Sequence, residues 1–236
     1  MKIRAFLLLV ACFIPTVAEP SAVPSDAIVE SYCAATRDQA QLMKAASMDV
    51  EIEASLPKLK KQGRLHALRH ISALGRITYE KLRFEGDGTV KNQVIARYLT
   101  AEAEAQQGPA SLAVTPENYK FKYNGRSRLE GRDVYVFQVT PKQKRTGLFK
   151  GGIWIDAATY LRVQESGYLV KSPSIFLKKV QFVRTYEIRN GVSVPRQVQT
   201  VVQTRLVGKA ELTIDFLNFS LDGAKRGVVT EGEGQP

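Results

Sequence analysis

The residues with the widest chemical repertoire are few and poorly placed for catalysis. His66 and His70 stand four apart. On a helix that spacing can hold zinc, but no Glu follows His66, and residues 64–85 read as strand. On a strand the two rings share a face too far apart to chelate jointly. Cys33 has no local His or Asn partner and lies beside an apolar helical stripe, where a small packed residue is the simpler role. Gly-x-Ser-x-Gly elbows, phosphate-cradling loops and paired-Cys motifs do not occur. The expectation is a non-enzyme that needs neither metal nor cofactor.

Binding chemistry is better represented. Phe182, Arg184 and Tyr186 fall in one phase of an alternating run, which aims a guanidinium at the apolar side of a strand. A buried unpaired charge is expensive, so Arg184 should meet a carboxylate, a carbonyl from a covering helix or a ligand head group, or else snorkel to water near a rim. The same phase turns Phe121, Phe137, Phe182, Tyr186, Ile214 and Phe216 inward, as cavity wall or as ordinary core. In residues 142–152, Leu148 and Phe149 stand among Lys142, Lys144, Arg145 and Lys150. Two exposed apolar residues ringed by cations would suit an anionic membrane surface or a partner, whereas folded-back side chains would make a plain hairpin loop. Residues 171–179 have the same character.

These residues must be positioned by a sheet. After Pro20 and Pro24, Ser25 and Asp26 open a helix whose apolar positions Ile28, Tyr32, Ala35 and Leu42 predict an end near Ser47. Met48, Val50, Ile52 and Ala54 then alternate as a strand, and two more follow over residues 64–85. A second helix is predicted from about Val90 to Gln106, stopped by Gly108-Pro109. From about Tyr119 to Leu221 the chain alternates almost throughout. Turns are expected at Asn124-Gly125, Asn190-Gly191 and Gly208-Lys209. The sum is an α+β domain of about ten antiparallel strands and two helices. A sheet that large, with one apolar face, must curl or be covered.

The first residues predict export. Lys2 and Arg4 precede an apolar run from Ala5 to Val17, with a small residue, Ala18, at the expected cut. The domain should then occupy residues 19–221, with a frayed tail over 222–236. Leu9-Val10-Ala11-Cys12 also resembles a lipobox, which would anchor the chain through Cys12 instead. Cleavage after Ala18 removes two of the 34 basic residues, leaving 32 against 23 acidic ones, or +9. That field favours anionic surfaces, and export makes nucleic acid the least fitting of them. The one remaining thiol cannot make an internal disulfide, so stability must come from the core.

One stretch points further. Gly147-Leu148-Phe149-Lys150-Gly151-Gly152-Ile153-Trp154-Ile155-Asp156, followed by Ala157-Ala158-Thr159-Tyr160-Leu161-Arg162-Val163, resembles the strand, Trp-x-Asp, turn, strand hairpin of the LolA-like periplasmic lipoprotein carriers. The flanking strand-rich segments and the order helix, strands, helix, long antiparallel run are similar too. The resemblance implies an incomplete, strongly curved antiparallel β-barrel whose concave face is lidded by two helices. It also implies a periplasmic, monomeric carrier of lipoprotein or lipid cargo that works at a membrane surface or with envelope partner proteins. The same fold with a filled core would instead serve as a structural or regulatory envelope module acting through its basic surface.

Overall fold

The computed structural model describes residues 24–42, 45–72, 76–105, 112–172, 177–205 and 208–221. The expected export segment, Cys12, Gly108-Pro109, most of the apolar centre of residues 171–179 and the tail over 222–236 lie outside them.

The first helix, α1 (Ser25–Leu42), buries Ile28, Val29 and Tyr32, one face at helical spacing. It stops short of Ser47 because the sheet claims the chain from Ala46, which faces Ile71 on one side and Leu221 on the other. Three strands follow: β1 (Ala46–Leu56), β2 (Lys61–Ile71) and β3 (Ile77–Gly86). The second helix, α2, is assembled from Gly88–Val90, a π-helical turn Lys91–Ile95 and Ala96–Ala105. Asp87 caps it by accepting from Thr89 N–H at 2.7 Å. Seven strands complete the chain: β4 (Tyr119–Leu129), β5 (Arg132–Pro141), β6 (Phe149–Asp156), β7 (Arg162–Leu169), β8 (Leu177–Arg189), β9 (Val192–Thr204) and β10 (Lys209–Leu221).

All ten strands form one antiparallel sheet in the order β3-β2-β1-β10-β9-β8-β7-β6-β5-β4. Its edges β3 and β4 do not pair, so the barrel is open. The β8–β9 connection is the expected Asn190-Gly191 turn, with φ of 51° and 75°, the signature of a tight turn matched to strand twist. Asn124-Gly125 is not a turn. The chain passes through it within β4, where the register shifts between Tyr123 and Arg126, and reverses later at Glu130-Gly131. Gly125 supplies the positive φ of 99° that such a bulge needs. The extended run on both sides pairs with β5, and that pairing outweighs the local turn preference.

Register aligns one residue per strand across the whole inner face. Phe84, Leu65, Ile52, Ile214, Val198, Arg184, Glu165, Ile153, Phe137 and Tyr123 face one another in succession from β3 to β4. Eight are apolar or aromatic; the charged pair falls on β8 and β7, in the middle of the sheet. The core divides at that point. One cluster packs α1 onto β4, β5 and β6 and includes Phe182, while the other packs α2 onto β1, β2 and β10.

Candidate functional site

Between the two clusters lies an ionic group. Glu165 is 1% exposed and accepts from Arg162 at 2.8 Å on Oε1, and from the Tyr186 hydroxyl at 3.0 Å on Oε2. Arg184 donates to Oε2 at 3.5 Å, at the limit of a hydrogen bond. Each guanidinium also lies over a ring: Arg162 over Tyr186 at 4.7 Å and Arg184 over Phe182 at 4.5 Å. Burial opposes the Glu165 carboxylate, but the charges of Arg162 and Arg184 and the Tyr186 hydrogen bond outweigh it and hold its pKa below the ordinary value. Burial likewise opposes the Arg184 cation, and Tyr186 and Glu165 keep it charged. The helices contribute phenols to the surroundings. Tyr32 of α1 senses Arg162 and Glu165, and burial pushes its pKa up to about 12. Tyr98 of α2 senses Arg184.

Arg162 and Glu165 are three apart, a spacing that puts strand side chains on opposite faces. A bulge brings them together. Trp154 faces Gln164 and Ile155 faces Arg162, so Val163 is an extra residue in β7 and the face reverses beyond it. The alternation continued from Leu161 and Val163 would point to Glu165 as inward, but Arg162 carries no such signal.

Two tethers hold the helices over this face. The buried Gln39 side chain of α1 donates to Ser193 O at 3.1 Å and accepts from Ser193 N–H at 3.0 Å, satisfying both backbone groups. On α2, Glu102 accepts from Arg69 of β2 at 3.0 Å and from the Tyr79 hydroxyl of β3. Arg69 is 7% exposed and lies over the Phe216 ring at 5.8 Å. It follows Leu65 and Ala67 in phase, and that alternation was the signal available for an inward cation in β2.

The residues expected on the inner face occupy it, but unequally. Phe137, Phe182 and Ile214 are buried, and Phe121, Arg184, Tyr186 and Phe216 are partly exposed. The expected exposure of Leu148 and Phe149 is corrected: Leu148 is 0% and Phe149 3% exposed. Both fold into the α1 cluster, where the Phe149 ring meets Phe182 at 5.1 Å, and Phe149 N–H donates to the Tyr119 hydroxyl at 3.2 Å. Their apolar side chains find partners on the sheet, which water or a membrane need not supply. Of the surrounding cations, Lys142 and Lys144 are exposed, Lys150 is half-buried, and Arg145 donates to Asn118 at 2.9 Å. His66 and His70 both lie on β2, beside Glu51 at 3.9 Å and Glu80 at 3.6 Å. Among the described residues no group of three or more His, Cys, Asp or Glu could hold a metal ion.

An open ten-stranded antiparallel barrel with two helices over its concave face is the class of structure this chain forms. Solved structures that align over most of the chain include LolA superfamily and lipoprotein-sorting proteins. A DUF1329 family protein from Desulfovibrio piger aligns with a TM-score of 0.45 at 13% identity, over 86% of this chain and 95% of that one. A LolA superfamily protein from Nitrosomonas europaea aligns with a TM-score of 0.39 at 13% identity, over 89% and 99%. A domain assigned as an outer membrane lipoprotein-sorting protein from Vibrio parahaemolyticus gives 0.41 at 13% identity, over 86% and 93%. At such identities a ligand or partner does not carry over from one chain to the other. No family model and no curated protein matches the sequence.

Proposed function

We propose that this chain is a non-catalytic, periplasmic carrier that shelters acyl chains of lipids or lipoproteins on the concave face of its open barrel. One observation carries this reading. The inner row is apolar on both sides of the central charged pair, yet the helices cover it as two separate clusters, leaving a partly exposed seam at Phe216, Val198, Arg184 and Tyr186. Each methylene moved from water onto such a surface gains ~0.8 kcal/mol, so even a partly covered acyl chain is held. The expected export segment would deliver the protein to the compartment where such cargo moves.

Gentle purification followed by lipid extraction and mass spectrometry tests the reading, together with displacement of a fluorescent fatty-acid probe. Co-purifying lipid and probe displacement are expected. A protein that is consistently empty and displaces no probe would sink it.

The burial of Phe137 and Ile214, 1% and 0% exposed, favours a second reading in which the core is filled and the basic surface does the work. Charge reversal at the exposed Lys142 and Lys144 separates the two. A surface module loses binding to anionic vesicles or envelope partners, while a carrier keeps its bound lipid.

A further inference from the structure

The ionic group at the centre of the inner face is not balanced. Two guanidiniums, Arg162 and Arg184, surround one carboxylate, Glu165. Glu165 is satisfied without Arg184, because Arg162 occupies Oε1 and the Tyr186 hydroxyl occupies Oε2 at ordinary distances. Arg184 is the surplus cation. Among the described residues its only acidic contact is the 3.5 Å approach to Oε2, and 42% of its side chain is exposed. With one face of the guanidinium against Phe182 at 4.5 Å, its in-plane N–H donors remain for another acceptor.

We propose that Arg184 receives the carboxylate of a fatty-acid-class amphiphile whose tail lies over the half-buried Val198, Val202 and Phe216. Val198 faces Arg184 directly across the β8–β9 pair, and all three apolar residues border the α2 cluster beside it. Head and tail subsites are therefore adjacent. A carboxylate matches the fork of a guanidinium and brings a single negative charge, which neutralises the surplus of one. A phosphate monoester, at about −1.5 to −2, would overshoot and stand beside the buried Glu165 carboxylate. Tyr98 of α2 also lies within electrostatic reach of Arg184, while the Tyr186 hydroxyl stays committed to Glu165. The inference rests on the carrier reading for the tail and adds the head group to it.

The test compares hexadecanoate, hexadecanol and hexadecyl phosphate by displacement of a neutral fluorescent probe from the purified protein. The acid is expected to bind at least about tenfold more tightly than the alcohol, a difference of about 1.4 kcal/mol. Arg184→Gln should shrink that ratio to within about twofold, and Arg184→Lys should restore part of it. Equal affinity for acid and alcohol in the native protein overturns the head-group assignment and leaves the carrier reading standing. So does an acid preference that survives in Arg184→Gln. Tighter binding of the phosphate than of the acid also overturns it, by assigning the site to a dianion. If neither acid nor alcohol binds, both fail. The native comparison needs no variant, so misfolding of Arg184→Gln cannot shield the proposal.

Discussion

Glu165→Gln isolates what the central carboxylate does for the fold. The side chain keeps its shape and one acceptor oxygen, but Arg162 and Arg184 lose their shared counter-charge. Removing one member of a buried ion pair costs ~3–5 kcal/mol. Arg162 and Arg184 keep 28% and 42% of their side-chain exposure, so solvent screening relieves part of the repulsion and the lower end, about 3 kcal/mol, is expected. For a domain of this size that lowers the melting temperature by roughly 6–12 °C. Calorimetry or circular dichroism measures it. Acid provides a second reading of the same group. The folded Glu165 pKa lies below the ordinary 4.5, so its stabilisation is fully present above that pH and is lost as pH falls through the lower folded value. Native protein should therefore lose stability relative to Glu165→Gln only below pH 4.5. Adding Arg184→Gln to Glu165→Gln should recover stability, because it removes the surplus cation. A loss under about 1 kcal/mol with no recovery in the double variant would refute the argument that the carboxylate holds two cations at the centre of the sheet.

Three further outcomes follow from local geometry. Gln39→Ala leaves the Ser193 N–H and C=O buried without partners and should cost about 1–3 kcal/mol, with amide hydrogen exchange at Ser193 accelerated well beyond that of β10. Asp156 Oδ1 accepts from Ala158 N–H, Thr159 N–H and the Thr159 hydroxyl at 3.1, 2.8 and 2.8 Å. Asp156→Ala should therefore lower the urea midpoint by the equivalent of about 1–3 kcal/mol with an unchanged slope, and Asp156→Asn by less. Gly151 faces Gly167 across β6 and β7, and a Cβ on Gly151 would collide with the Ser166 carbonyl. Gly151→Ala should break that pairing and yield little soluble protein, whereas an Ala at Gly88, where a Cβ meets nothing within 4 Å, should be tolerated.

Much of the sheet was legible in the sequence because alternation reports a half-buried strand wherever pairing is regular. The inward phase of Phe182, Arg184 and Tyr186 and the Asn190-Gly191 turn both came from that signal. Where strands bulge, the signal fails in a specific way. At Asn124-Gly125 a local turn motif is absorbed into β4, and at Val163 an extra residue reverses the face of β7. Leu148 and Phe149 misled for a different reason: cations around an apolar pair do not reveal whether the pair faces out or in, and contacts with Tyr119 and Phe182 decide it.

By itself the sequence determined the α+β composition, ten alternating segments with two amphipathic helices, and the direction of Arg184, all of them consequences of local periodicity. Only the tertiary structure decided what Arg184 meets. Its neighbours Glu165, Arg162 and Tyr98 arrive from β7 and α2, and the distance between them is set by register, one bulge and the seating of a helix. Whether a charge in an apolar face is balanced depends on those three together, and so does the surplus of one cation at the seam.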